Sequence, residues 1–88
     1  MFTITFNSKT SPYASKDIEE NVCFLRYNEA YLNSELRHRG YVYINEIYQR
    51  LGIGWNPDWD NLCRRYDGRP INFKMRAVVE DGYVIDID

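Results

Sequence analysis

Residues 2 to 6, FTITF, alternate apolar and polar side chains, which places Phe2, Ile4 and Phe6 on one face and predicts a half-buried strand. The polar run NSKTSPYAS then predicts a loop. From residue 18 the period lengthens: Ile18, Val22, Leu25, Leu32 and Leu36 recur at spacings of three, four or seven, one stripe interrupted only by Glu29. This predicts a long helix capped by Ser15, with Asp17, Glu19 and Glu20 favoured by the positive end of the helix dipole. Gly40 is its expected stop, with Arg37, His38 and Arg39 in the last turn and Glu35 paired to Arg39 at i,i+4.

The next segment, YVYI at 41 to 44, is β-branched and aromatic and predicts a short strand. Asn45 is the expected cap of a short helix in which Ile44, Ile47, Tyr48 and Leu51 share a face, Glu46 pairs with Arg50, and Gly52 terminates. After the turn GIGWN, Asn56 before Pro57 reads as a cap followed by proline at the first helical position. Trp59, Leu62, Cys63 and Tyr66 follow at helical spacing, with Gly68 beyond, and predict a third short helix. At the C-terminal end, Ile71, Phe73, Met75, Ala77 and Val79 alternate, as do Tyr83, Ile85 and Ile87. A three-residue loop of Glu80, Asp81 and Gly82 would pair 79 with 83, 77 with 85 and 75 with 87, leaving one face wholly apolar. It would also set Arg76 opposite Asp86 and Lys74 opposite Asp88.

These elements make an α+β fold: a long helix and two short helices on a small antiparallel sheet with a C-terminal hairpin. The chain has 88 residues, which suits one domain, 1–88, around one small core. Its 44% hydrophobic and 27% charged residues are those of an ordinary globular protein. The net charge of −2 provides no general attraction to nucleic acid or anionic membrane, so such binding would need a local patch. No apolar run is long enough to span a bilayer, and the alternating N-terminus is unlike a signal peptide, so a cytoplasmic location is expected. Cys23 and Cys63 lie outside CxxC spacing, and are expected to be two buried, reduced thiols.

Little in the chain suggests chemistry. The single histidine, His38, sits among arginines at a helix end, where no nucleophile and third group accompany it. Asp58 and Asp60 would point to different sides of a helix. Asn56, Asp58, Asp60 and Asp67 match positions of a calcium loop, yet Asn61 replaces the required glycine and Arg64 falls inside the site. No phosphate-cradling glycine motif is present. The expectation is a non-enzyme without metal or cofactor.

Binding is better supported. Residues 62 to 79 carry Arg64, Arg65, Arg69, Lys74 and Arg76 against Asp67 alone. Eight tyrosines and two tryptophans add the residue types that carry interface hot spots. Trp55, in a glycine turn outside any helical stripe, is the tryptophan expected to be exposed, and Trp59 the one expected in the core. The candidate partner-binding residues are therefore Trp55, Arg64, Arg65 and Arg69.

Two resemblances bear on function. The order strand, helix, short strand, helix, helix, hairpin resembles a winged helix over about residues 30 to 88. There NEIYQRLGI is similar to the second helix and PDWDNLCRRYDG takes the recognition-helix position. That implies base reading near the start of this segment, where Asp58 and Asp60 would instead face phosphates. LRHRGYVYINEIYQRLG resembles a segment of small phage and prophage proteins, with an RGY-aromatic-x-N-acid-x-Y core before LG and a later GW, over about residues 25 to 55. It implies a mobile-element origin in a bacterial cytoplasm and no particular activity. The expected function is a phage-type protein that binds and inhibits a host defence or regulatory protein. A winged-helix DNA-binding regulator and a phage structural subunit are the alternatives.

Overall fold

The computed structural model describes residues 2–77 and 82–87. Strand β1 (Phe2–Phe6) leads through a looped segment to helix α1 (Ile18–Arg39), followed by strand β2 (Tyr41–Tyr43) and helix α2 (Ile44–Arg50). Strands β3 (Cys63–Arg65), β4 (Phe73–Ala77) and β5 (Tyr83–Ile87) complete the order. The α+β class with a long helix and a small antiparallel sheet is as the pattern predicts. At 1.5 Å per residue α1 is about 33 Å long, so it runs nearly the full 36 Å length of the molecule.

The main sheet has the order β1-β5-β4, all antiparallel, so the first and last strands are neighbours. Alternation sets its inner face: Ile4 and Phe6, Phe73, and Tyr83, Ile85 and Ile87 are buried against Leu25, Leu32 and Leu36 of α1. A second sheet pairs β2 with β3 and sends Val42 inward. Ile44, Ile47 and Leu51 of α2 join the same core. Trp59 packs at its margin, with its ring 5.2 Å from Phe2 and 4.9 Å from Tyr48, both edge-to-face.

The start of α1 differs from expectation. Asp17, two residues beyond Ser15, is the cap, and its carboxylate accepts from the Glu19 and Glu20 amides. Ser15 instead receives the Asp17 amide and donates to Glu20. Ile18 is 70% exposed because it is the first helical residue and the inward position one turn on belongs to Asn21. Gly40 closes the helix as expected, at φ 84°. Arg39 passes over Glu35 to form two bonds with Glu46 at 2.8 and 2.9 Å. Those bonds hold its guanidinium above its usual pKa, and they leave Arg50 without the predicted Glu46.

Asn45 is not a cap. The strand ends at Tyr43, which caps α2 without a side-chain bond, and Asn45 is buried one residue inside the helix. Its amide accepts from the Asn56 N–H and donates to the Asn56 carbonyl and to Asp60, all within 3.2 Å. Gly52 does stop α2: Ile53 N–H bonds the Tyr48 carbonyl and Gly52 N–H the Gln49 carbonyl, the paired bonds of a Schellman motif.

The third helix is the largest correction. Asn56 caps as predicted, but only Pro57–Trp59 form a helical turn, of 3-10 type. The chain then turns, and Cys63–Arg65 pair with β2, with Tyr43 opposite Cys63 and Tyr41 opposite Arg65. An isolated helix this short is marginal in water, whereas β2 offers a ladder extended by bonds from Ile44 to Leu62 and from Tyr66 to Gly40. Leu62 and Tyr66, expected on a buried stripe, are exposed. A winged helix's recognition helix is thereby absent.

The β4–β5 register is the other correction: Ala77 faces Tyr83, Met75 faces Ile85 and Phe73 faces Ile87, two residues from the expected alignment. A slip of two keeps every side chain on its face, so alternation cannot detect it; only a slip of one would. Lys74 lies opposite Asp86, and Arg76, opposite Val84, reaches diagonally to Asp86 at 3.3 Å. The expected loop residues Glu80 and Asp81, the partner Val79, and Asp88 lie outside the described residues. Both cysteines are free, but Cys23 is exposed and Cys63 half-buried, against the expected burial. Among the described residues no helix is long and apolar enough to cross a membrane.

Candidate functional site

The flank of α1 that faces away from β4 carries Phe24, Tyr27 and Tyr31 at i, i+3 and i+7, one face of the helix. Tyr27 is 67% exposed and Tyr31 40%. Tyr13 joins them from the loop before α1, 55% exposed, with its ring 5.5 Å from Phe24. The loop is pinned there by Ser11, a buried hydroxyl that donates to the Leu51 carbonyl at 2.5 Å and receives the Tyr13 amide. Tyr13 lies so close over Gly52 that a Cβ on Gly52 would come within 2.6 Å of its ring. The glycine that ends α2 thus also seats this tyrosine.

Arg50, the last residue of α2, reaches into this aromatic face. Its Nε donates to Asn28 Oδ1 at 2.9 Å, and its guanidinium lies 3.8 Å from the centre of the Tyr31 ring. Asn28 is buried and is itself held by a bond to the Phe24 carbonyl. Arg50 divides two hollows of about 260 Å³ each. Tyr13, Phe24, Tyr27 and Asn28 line one, and Tyr31, Glu35, Arg39, Glu46 and Gln49 border the other. No carboxylate pairs with Arg50 among the described residues. Its partners are an amide and a ring, so the full positive charge is fixed in direction and still available for a hydrogen-bonded counter-ion.

The residues singled out from the sequence lie elsewhere. Trp55 is 54% exposed on the loop after α2, as expected. Arg64 points inward from β3, opposite Val42, and bonds the carbonyls of Arg65, Arg69 and Pro70 together with Asp67. It builds the turn that leads to β4. Arg69 is exposed and paired to Asp67 at 2.7 Å. The Arg69 guanidinium and amide hold the Asp67 carboxyl at a pKa of about 2. Arg65 is exposed on the outer face of β3. Among the described residues no group of three or more His, Cys, Asp or Glu could hold a metal.

A family model for a family of unknown function, DUF6353, matches residues 3–86. The chain belongs to that family. No curated protein and no solved structure matches it. Membership therefore covers every element of the fold and leaves function to be argued from the surface.

The sequence reading missed the α1–α2 face because Tyr27 and Tyr31 fall beside the Leu25–Leu32–Leu36 stripe and look like its margin. One signal was present: Phe24, Tyr27 and Tyr31 share a helical face of their own, about a third of a turn from the leucines.

Proposed function

We propose that this chain is a small non-catalytic binding protein that acts by occupying a partner protein through the face between α1 and α2. The observation that carries the reading is Arg50, held between Asn28 and Tyr31 at the centre of exposed tyrosines. Tyrosine and arginine dominate binding hot spots. Side chains already fixed in place lose little conformational freedom on docking, which raises affinity without added area. The complementary partner surface presents apolar side chains around an acidic group that meets Arg50.

The similarity of LRHRGYVYINEIYQRLG to small phage proteins supports a mobile-element origin, with a bacterial host protein of defence or regulation as the partner class. Such a protein works by obstruction, which needs surface and affinity but no chemistry. The test is affinity capture from lysate of the carrier organism, with wild type, Arg50→Ala, Tyr27→Ala/Tyr31→Ala and Trp55→Ala in parallel. Selective loss of one stoichiometric protein in the first two variants supports the reading. Equal recovery by all four removes the α1–α2 face from it, and loss only with Trp55→Ala moves the contact to the loop after α2.

A further inference from the structure

We propose that the outer face of the β2–β3 sheet is a stacking platform for single-stranded nucleic acid, a function separate from the α1–α2 face. Val42 turns inward from β2, so Tyr41 and Tyr43 turn outward together, joined across the ladder by Arg65 and Cys63. The two rings are 5.3 Å apart and nearly perpendicular, at 78°. Arg39 lies 4.7 Å over the Tyr41 ring and is itself fixed by both oxygens of Glu46. Arg39 therefore covers one face of the Tyr41 ring, and Tyr43 keeps an exposed surface.

Charge favours a polyanion at this end of an otherwise slightly acidic chain. Of the neighbouring carboxylates, Glu46 is paired with Arg39 and Asp67 with Arg64 and Arg69, while Glu35 carries no ion pair among the described residues. Arg65, on this outer face, carries no ion pair among the described residues. An exposed aromatic ring beside an uncompensated arginine supplies the two parts of a sequence-tolerant single-strand site, where bases stack and cations follow the backbone. A duplex buries its base faces and offers nothing for Tyr43 to stack on.

The test is fluorescence anisotropy with labelled 12-mers of thymidine in DNA and uridine in RNA, beside a 12-base-pair duplex. Both single strands should bind, since bases and phosphates are common to them, and the duplex should bind at least tenfold more weakly. One phosphate contact predicts about a two- to threefold loss of affinity between 50 and 200 mM salt. Tyr43→Ala should weaken binding at least about fivefold, and Arg65→Ala should remove most of the salt dependence. Tyr43→Leu, which keeps the strand's apolar bulk, should fail in the same way as Tyr43→Ala, while thermal melts show both folded. The proposal is overturned if neither single strand binds, if the duplex binds as tightly, or if binding is unchanged in Tyr43→Leu and Arg65→Ala. It is equally overturned if Tyr43→Leu releases a captured protein while no oligonucleotide binds, because the face is then a protein contact.

Discussion

The two flanks of α1 hold opposite inventories. Toward β4 the helix presents Arg26, Glu29 and Asn33, and each bonds the backbone of the neighbouring strand segment. Asn33 accepts from the Ile71 amide at 2.6 Å and donates to its carbonyl at 2.9 Å. Glu29 accepts from the Phe73 amide at 2.6 Å, and Arg26 donates to the Phe73 carbonyl while paired with Glu29. Toward α2 the same helix exposes Tyr27 and Tyr31 with Arg50 between hollows. The polar flank is thus inside and the aromatic flank outside. An edge strand needs its N–H and C=O groups satisfied, and here helix side chains stand in for the missing strand. On the aromatic flank Phe24 stacks on Phe6 in the core, while the Tyr27 and Tyr31 rings stay exposed, which suits the partner contact we propose.

If that division is right, damage to the first flank should cost stability and damage to the second should cost binding. The largest effect is expected for Asn33→Ala, which orphans both backbone groups of the buried Ile71. Each unsatisfied buried group costs about 1–3 kcal/mol, so a loss of about 2–6 kcal/mol is expected in urea unfolding. At the usual entropy of unfolding for a domain of this size, the Tm should fall by more than about 8 °C. A change below about 0.5 kcal/mol would mean that water replaces Asn33, and that the inner flank is as dispensable as the outer one.

Next in size is the outer flank. Tyr27→Ala/Tyr31→Ala should weaken capture of the protein partner by about 2 kcal/mol or more. Its thermal unfolding should stay within about 0.5 kcal/mol for the loss of Tyr27, which is largely exposed. A matched loss of stability and binding would collapse the comparison, since the aromatic flank would then be part of the core.

Asn28 joins the two flanks and should show an intermediate effect. It is buried, yet its Oδ1 fixes Arg50. Asn28→Ala should cost about 1 kcal/mol of stability, the net worth of one hydrogen bond, and should weaken partner binding by loosening Arg50. Asn28→Asp separates these roles: it keeps an acceptor for Arg50 but supplies the carboxylate that the partner would otherwise bring. Binding should fall even though Arg50 stays in place, and unchanged binding would show that Arg50's charge is not what the partner reads.

The main sheet was legible because alternation has consequences that only one parity satisfies: Ile4, Phe6, Phe73, Ile85 and Ile87 all face inward as the pattern requires. The stop at Gly40 was legible because few residues other than glycine tolerate its positive φ. What escaped was set by partners distant in sequence. Residues 59 to 66 carry helical spacing, yet β2 needed a neighbour, and the ladder outweighed a marginal helix. Asn45 reads as a cap and Glu29 as a break in the apolar stripe because their partners, at 56, 60 and 73, are invisible to local pattern. The candidate site suffered likewise. Arg64 reads as an exposed cation until its three carbonyl acceptors are known, and Arg50 reads as Glu46's partner until Arg39 claims that carboxylate.

The smallest expected effect tests the claim that Arg50 is unusual, using Arg69 as the contrasting arginine. Arg69 brings its own carboxylate: its side chain and amide hold Asp67 at a pKa of about 2, below the ordinary 3.8. A carboxyl with a depressed folded pKa stabilises the fold fully above its unfolded value, and this contribution disappears as pH falls from about 4 toward 2. The pair is exposed and should matter little to overall stability. An NMR titration should place the Asp67 midpoint near 2 in the wild type and raise it part of the way toward 3.8 in Arg69→Ala, which keeps the backbone amide bond and Arg64, while Arg50→Ala leaves it unmoved. Added salt should raise the wild-type midpoint by screening the pair. An Asp67 midpoint that stays at 3.8 in the wild type would mean that Arg69 is no more committed than Arg50, and the contrast between a satisfied arginine and a waiting one would lose its reference.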